Sequence, residues 1–171
     1  MKKSTLGLAI LINAGLLMAQ SQRLVFVEEF TQASCGPCAS ANPAFNALLS
    51  SNSTKITSVK YQVSWPGTDP MNAQNPADAA NRVSYYGVSG VPDARLQGTV
   101  TTGSPGNVTQ ANIGSQYAIP SQFTIKLDHW LNSAQDSIFV NCEITCSQNI
   151  TMTTPKLRVA LIEKDITLSL I

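Results

Sequence analysis

The sequence has little net charge, one histidine, and a single long apolar run. Eleven Lys and Arg stand against ten Asp and Glu in 171 residues, a formal charge of +1. That balance argues against a nucleic-acid role and gives no electrostatic drive toward membranes. No nucleotide or flavin fingerprint occurs, so no cofactor is expected. Asp69 and the Met71–Asn75 stretch lack the spacing of a calcium loop. His129 sits among Phe123, Ile125, Leu127 and Leu131, an otherwise apolar alternating set. A core or edge histidine is expected there, not the base of a Cys–His hydrolase. The apolar run, Leu6 to Met18, spans only ~20 Å as a helix, short of a ~30 Å hydrocarbon core.

That run reads as a secretory leader instead. Lys2 and Lys3 precede it and Ala19 offers a small residue for cleavage, which predicts a signal peptide over 1–19. No cysteine follows directly, so lipid attachment is not expected there, and no transmembrane segment is expected after cleavage. Removing the leader leaves nine basic residues against ten acidic, a formal charge of −1. Export permits disulfides. The expected location is the periplasm, the outer membrane's surface or the medium.

What the sequence does hold is Cys35-Gly36-Pro37-Cys38. A bare C-x-x-C also occurs in zinc ribbons and structural disulfides, so its surroundings matter. Leu24 to Phe30 is an apolar run of strand length, followed by the polar Thr31-Gln32-Ala33-Ser34 turn. Ala39 to Leu49 can form a helix with Ala41, Phe45, Leu48 and Leu49 on one side. Strand, turn, C-x-x-C and helix is a dithiol redox arrangement. The first sulfur then lies at a helix N-terminus, where free N–H groups and the dipole favour the thiolate, the nucleophile of disulfide exchange.

The segment resembles thioredoxin at four positions. The Cys-Gly-Pro-Cys residues are the same. Pro43, five residues after Cys38, matches the proline of the active-site helix. Glu29, six residues before Cys35, falls where thioredoxin has a buried acid. Tyr86-Gly87-Val88-Ser89-Gly90-Val91-Pro92 resembles the segment ending in a cis-proline. The likeness covers Leu24 to Gly98. Ser64-Trp65-Pro66-Gly67-Thr68-Asp69-Pro70 and the late Val159–Glu163 run add a resemblance to exported thioredoxin-like proteins related to outer-membrane proteins of Gram-negative bacteria. Three residues depart from thioredoxin: Ser34 replaces a tryptophan, Glu29 an aspartate, and Asp93 the usual threonine.

The resemblance implies a role for each site residue. Cys35, the exposed sulfur, would attack a substrate disulfide and Cys38 would resolve the mixed disulfide. Glu29, if buried with a raised pKa, would accept the Cys38 proton. Gly36, Pro37, Val91 and Pro92 would line the substrate site, with Val91 pairing to the substrate backbone. Trp65 would either join that groove or cap the core. Strand alternation puts only one of Glu28 and Glu29 inward and does not choose between them. The alternative for the cysteines is an inert structural disulfide.

The expected class is α/β: a thioredoxin-like domain over 20–120 with a mixed central sheet and flanking helices, then antiparallel strands over 121–171, read as an incomplete β domain. Ile56–Val63 reads as a strand and Asn75-Pro76-Ala77-Asp78 as the start of a helix to Tyr86. A strand over 93–97 closes at Gly98. A further helix is expected from Asn107, with Gln110 completing a capping-box-like pair. Period-two runs over 123–131 and 138–146 flank a turn at Asn132–Asp136, and a third strand is expected over 156–163. Cys142 and Cys146, about 13 Å apart along a strand, are too distant for a mutual disulfide. Buried thiols are expected; pairing with absent sequence and zinc are the alternatives. The implied function is an exported thiol–disulfide oxidoreductase acting on protein disulfides or dithiols and reset by a separate redox partner. The alternative is an envelope or cell-surface binding protein whose disulfide is not catalytic.

Overall fold

The computed structural model describes residues 21–151 and 154–162, so the expected leader lies outside the described residues. The described residues divide into two units: 22–121 with 151 and 154–162, and 122–150 with Ser21.

The larger unit is α/β. Its strands are β1 (Val25–Thr31), β2 (Ile56–Gln62), β3 (Asp93–Leu96) and β4 (Thr101–Gly103), in the order β2-β1-β3-β4. β1 and β2 are parallel, while β3 is antiparallel to both β1 and β4. β1 is central and nearly all buried because helices cover both faces. On one face Val25 and Val27 pack with Phe45 and Leu49 of α1 (Gly36–Ser51) and Ile113 of α3 (Gln110–Tyr117). On the other, Phe30, Val63 and Val88 form a second cluster joined by Val83 and Tyr86 of α2 (Pro76–Tyr86).

Local chemistry explains these boundaries. Asn75 caps α2 by accepting from the Asp78 amide at 3.4 Å, Pro76 takes the first turn, and Gly87 ends the helix at φ +62°. α1 runs through Pro43 without a break. The helix expected from Asn107 begins later, at Gln110. Thr109, not Asn107, is its cap, and its reciprocal partner is Asn112. Pro105–Asn107 forms a short 3-10 turn instead, Pro105 suiting its first position. β3 ends at Leu96 rather than Gln97, because Gln97 (φ +50°) and Gly98 (φ +76°) turn the chain into β4. A side chain at Gly98 would also meet the Tyr86 hydroxyl at 3.1 Å.

The smaller unit is a hairpin of β5 (Phe123–Leu131) and β6 (Ile138–Cys146), at the expected bounds. Asn132 organises its loop, accepting from the amides of Asp136 (3.1 Å) and Ser137 (3.2 Å). Ile125, Leu127, Leu131, Ile138, Val140 and Ile144 are exposed, and so is His129, which lies on an edge strand and not in a core. Cys146 is exposed and Cys142 half-buried, contrary to buried thiols, because β5 is the only strand paired with β6 among the described residues. The third strand is absent from residues 154–162: Leu157, Val159 and Leu161 are exposed and make no ladder.

Candidate functional site

Cys35 and Cys38 form a disulfide. Cys35 is the N-cap of α1, and its Sγ accepts from the Cys38 amide at 3.1 Å. Gly36 and Pro37 follow in the first turn, where the missing Pro37 N–H costs no helical bond, and both lie exposed. The sulfur thus occupies the place where unpaired amides stabilise an anion. The exposed sulfur of the sequence reading is not seen in this oxidised state: Cys35 is 2 % exposed and Cys38 1 %. Its bond to Cys38 holds the Cys35 sulfur inward, with the Val91 carbonyl 3.7 Å away. The Val91–Pro92 peptide is cis, as is Trp65–Pro66.

Glu29 projects from β1 toward α1. Its register partner on β2 is Lys60, and the two form an ion pair. Lys60 also donates to Asn46 Oδ1 at 2.6 Å and lies over the Phe45 ring. Glu29 is 1 % exposed. Burial pushes its carboxyl above the ordinary range, while the hydrogen bond and charge of Lys60 pull the other way. Asn42, one turn beyond Cys38, links the carboxylate to the Cys38 backbone carbonyl. With its nitrogen facing the acceptors, its amide donates to Glu29 Oε1 at 2.7 Å and to the Cys38 carbonyl at 3.1 Å. Its oxygen accepts from the Thr31 hydroxyl at 3.0 Å.

Glu28 is buried as well, so the premise that one of the pair faces outward does not hold: both sheet faces are covered. Arg82 forks onto Glu28, Nε to Oε1 at 2.6 Å and Nη2 to Oε2 at 3.0 Å. Tyr86 donates to Oε2 at 2.5 Å and Tyr61 to Oε1 at 3.2 Å. Burial, followed by the Glu28 charge, pushes the Tyr61 hydroxyl up to about 12. This satisfied network lies on the face away from α1, and no hydrogen bond joins it to the disulfide among the described residues.

A clasp holds the turn that leads into Cys35. Asp69, 4 % exposed, accepts from the amides of Ala33 (2.8 Å), Met71 (2.8 Å) and Asn72 (3.1 Å). Ser34 Oγ donates to the Thr68 carbonyl at 2.8 Å. A side chain at Gly67 would meet Ser34 Cβ at 3.0 Å. The small residue before Cys35 therefore lets the 65–70 loop close directly over it. Trp65 packs against the Phe30, Val63, Val88 cluster and lines a hollow of about 230 Å³ with Val83 and Asn72. Of its two expected roles, the packing matches the core cap.

Sequence reasoning missed Asn42 and Asp69. A signal existed for each. Asn42 is four residues after Cys38 on a helix and so reaches back toward it. Asp69-Pro70 is a turn dipeptide whose carboxylate can bind amides two and three residues on. Among the described residues no cluster of His, Cys, Asp and Glu can hold a metal, and no helix is long and apolar enough to cross a membrane.

No protein-family model matches the chain, and no curated protein matches it.

Proposed function

We propose that the chain is an exported thiol–disulfide oxidoreductase of thioredoxin-like fold. The observation that carries this reading is a disulfide at a helix N-terminus whose second cysteine is joined through Asn42 to a buried carboxylate. The β2-β1-β3-β4 order, the helices on both faces and the cis bond at Pro92 beside Cys35 support the fold. Lys2, Lys3 and the run to Met18 support export, to the periplasm, the outer membrane's surface or the medium.

The steps balance without a cofactor. In the reduced protein the Cys35 thiolate attacks one sulfur of a substrate disulfide. A Cys35–substrate bond forms, and the other substrate sulfur leaves as a thiolate that takes a proton from water. Cys38 gives its proton to Glu29 and attacks Cys35 Sγ. The Cys35–Cys38 bond forms and the second substrate sulfur leaves. The substrate disulfide is reduced and the dithiol oxidised. A second dithiol protein, the redox partner, must return two electrons. Run in reverse, the same steps oxidise a substrate dithiol. Gly36, Pro37 and Val91 border the sulfur and would meet the substrate chain.

A second reading, an envelope or cell-surface binding protein with an inert disulfide, is favoured by one observation: neither cysteine is more than 2 % exposed. Dithiothreitol-driven insulin reduction separates the two. Wild type is expected to accelerate precipitation and Cys35→Ser to abolish the effect. Wild type no faster than the variant would leave the binding reading. Cys38→Ser should also accumulate mixed disulfides with extract proteins, and their absence would count against Cys35 as nucleophile.

A further inference from the structure

The hollow beside Trp65 has no part in the exchange steps above. Val63 and Trp65 wall it from the segment that follows β2, and Pro76, Ala80 and Val83 wall it from α2. No charged side chain lines it. Asn72, its most buried polar neighbour, is already engaged, its Nδ2 donating to the Gln62 carbonyl at 2.8 Å. An apolar cavity of ~150 Å³ takes a benzene ring, so the hollow of about 230 Å³ has room for a phenyl group or a leucine side chain.

Its place in the fold ties it to the disulfide. β1 and β2 are parallel, so the turn leading to Cys35 and the segment bearing Trp65 leave the same end of the sheet. Gly67, two residues after Trp65, lies against Ser34, the neighbour of Cys35. Val91, whose carbonyl is 3.7 Å from Cys35 Sγ, packs on the same Phe30, Val63, Val88 cluster as Trp65. Charge does not select a partner here. Ser34, Gly36, Pro37, Gly67 and Val91 carry none. Asp69 is held by three backbone amides, and both Asp93 oxygens accept from Arg95, at 2.6 and 3.1 Å.

We propose that this hollow is a subsite for one bulky apolar side chain, phenylalanine or leucine, of the polypeptide whose disulfide meets Cys35. The proposal rests on the oxidoreductase reading and names the substrate class. Large apolar residues are mostly buried once a protein has folded. A site that needs one near the reacting cysteine therefore selects chains that have not finished folding, whatever their charge.

The test uses the full chain with Cys142 and Cys146 replaced by serine, so that only Cys35 and Cys38 exchange. The reduced protein is mixed with symmetrical disulfides of short cysteine peptides, and the released peptide thiols are followed by mass spectrometry. Phenylalanine is placed at successive positions on either side of the cysteine, in place of alanine. At one position it should raise the rate about tenfold. Lysine or glutamate there should change the rate by less than about twofold, at low and high salt alike. Ala80→Phe fills the hollow from an exposed position on α2 and should bring the phenylalanine and alanine rates together. Ser84→Phe does the same from the next turn and serves if the first variant does not fold. Equal rates for phenylalanine and alanine peptides in wild type, or a preference kept in the filled variants, would overturn the proposal. A second measurement does not need turnover: the Trp65 indole signal by NMR in the oxidised protein, titrated with the phenylalanine peptide bearing serine for cysteine. It should move, while the Trp130 signal should not. Wild type that reduces none of the peptides but shows this shift would reject the oxidoreductase reading and keep the hollow as a peptide site. No reduction and no shift would overturn both.

Discussion

Arg82→Ala should destabilise the α/β unit severely, and the structure sets the size of the loss. Glu28 is wholly buried and accepts four hydrogen bonds, two of them from Arg82. The variant leaves a buried carboxylate with two phenol donors and no cation. Breaking one partner from a buried ion pair costs about 3–5 kcal/mol. Arg82 keeps 17 % of its side chain exposed, so water can reach part of the gap and the lower end, about 3 kcal/mol, is expected. For a domain of this size, that lowers Tm by about 12–24 °C. Urea melts of wild type, Arg82→Ala and Glu28→Gln/Arg82→Ala at neutral pH read the loss. The double variant should recover part of it, because the unpaired buried charge is removed. A single-variant loss under about 1 kcal/mol, or no recovery in the double variant, would refute the reasoning.

Glu29→Gln should stabilise the protein, and more so as pH rises. Burial raises the folded pKa of Glu29, so the wild type loses stability as pH climbs from the ordinary carboxylate range through that value. Denaturation midpoints at both ends of the window check this, and an equal difference at each end contradicts it. Asp69→Ala strands three backbone donors and should cost about 2 kcal/mol or more by urea denaturation. It should also speed alkylation of Cys35 in the reduced protein by loosening the turn; a neutral substitution would show that the clasp is not needed. In the unreduced protein iodoacetamide should label Cys146 fastest, Cys142 slowly and the other two cysteines not at all, as read by mass spectrometry. Labelling of Cys35 without reductant would contradict the disulfide.

Much of this was readable locally. α2 was bounded by Asn75, Pro76 and Gly87, each with a short-range reason to start or stop a helix. The hairpin strands followed from period-two alternation alone. The burial of Glu28 was not local. It depends on Arg82, 54 residues onward, and on a sheet covered on both faces, which makes alternation uninformative at a central strand. The segment 156–162 alternates like a strand yet pairs with nothing among the described residues. Alternation describes what a segment can bury, while a strand also needs a neighbour's backbone. Cys35 was placed at its helix terminus by motif and spacing. Its burial came from the Cys38 bond and the Val91 carbonyl, which lies 56 residues away.

The central claim is that a helix terminus makes the Cys35 sulfur acidic. The direct measurement is the pH dependence of its alkylation rate in the reduced protein, with Cys142 and Cys146 replaced by serine. The account predicts a midpoint clearly below the ~8.5 of an ordinary cysteine. A midpoint at or above that value would contradict it.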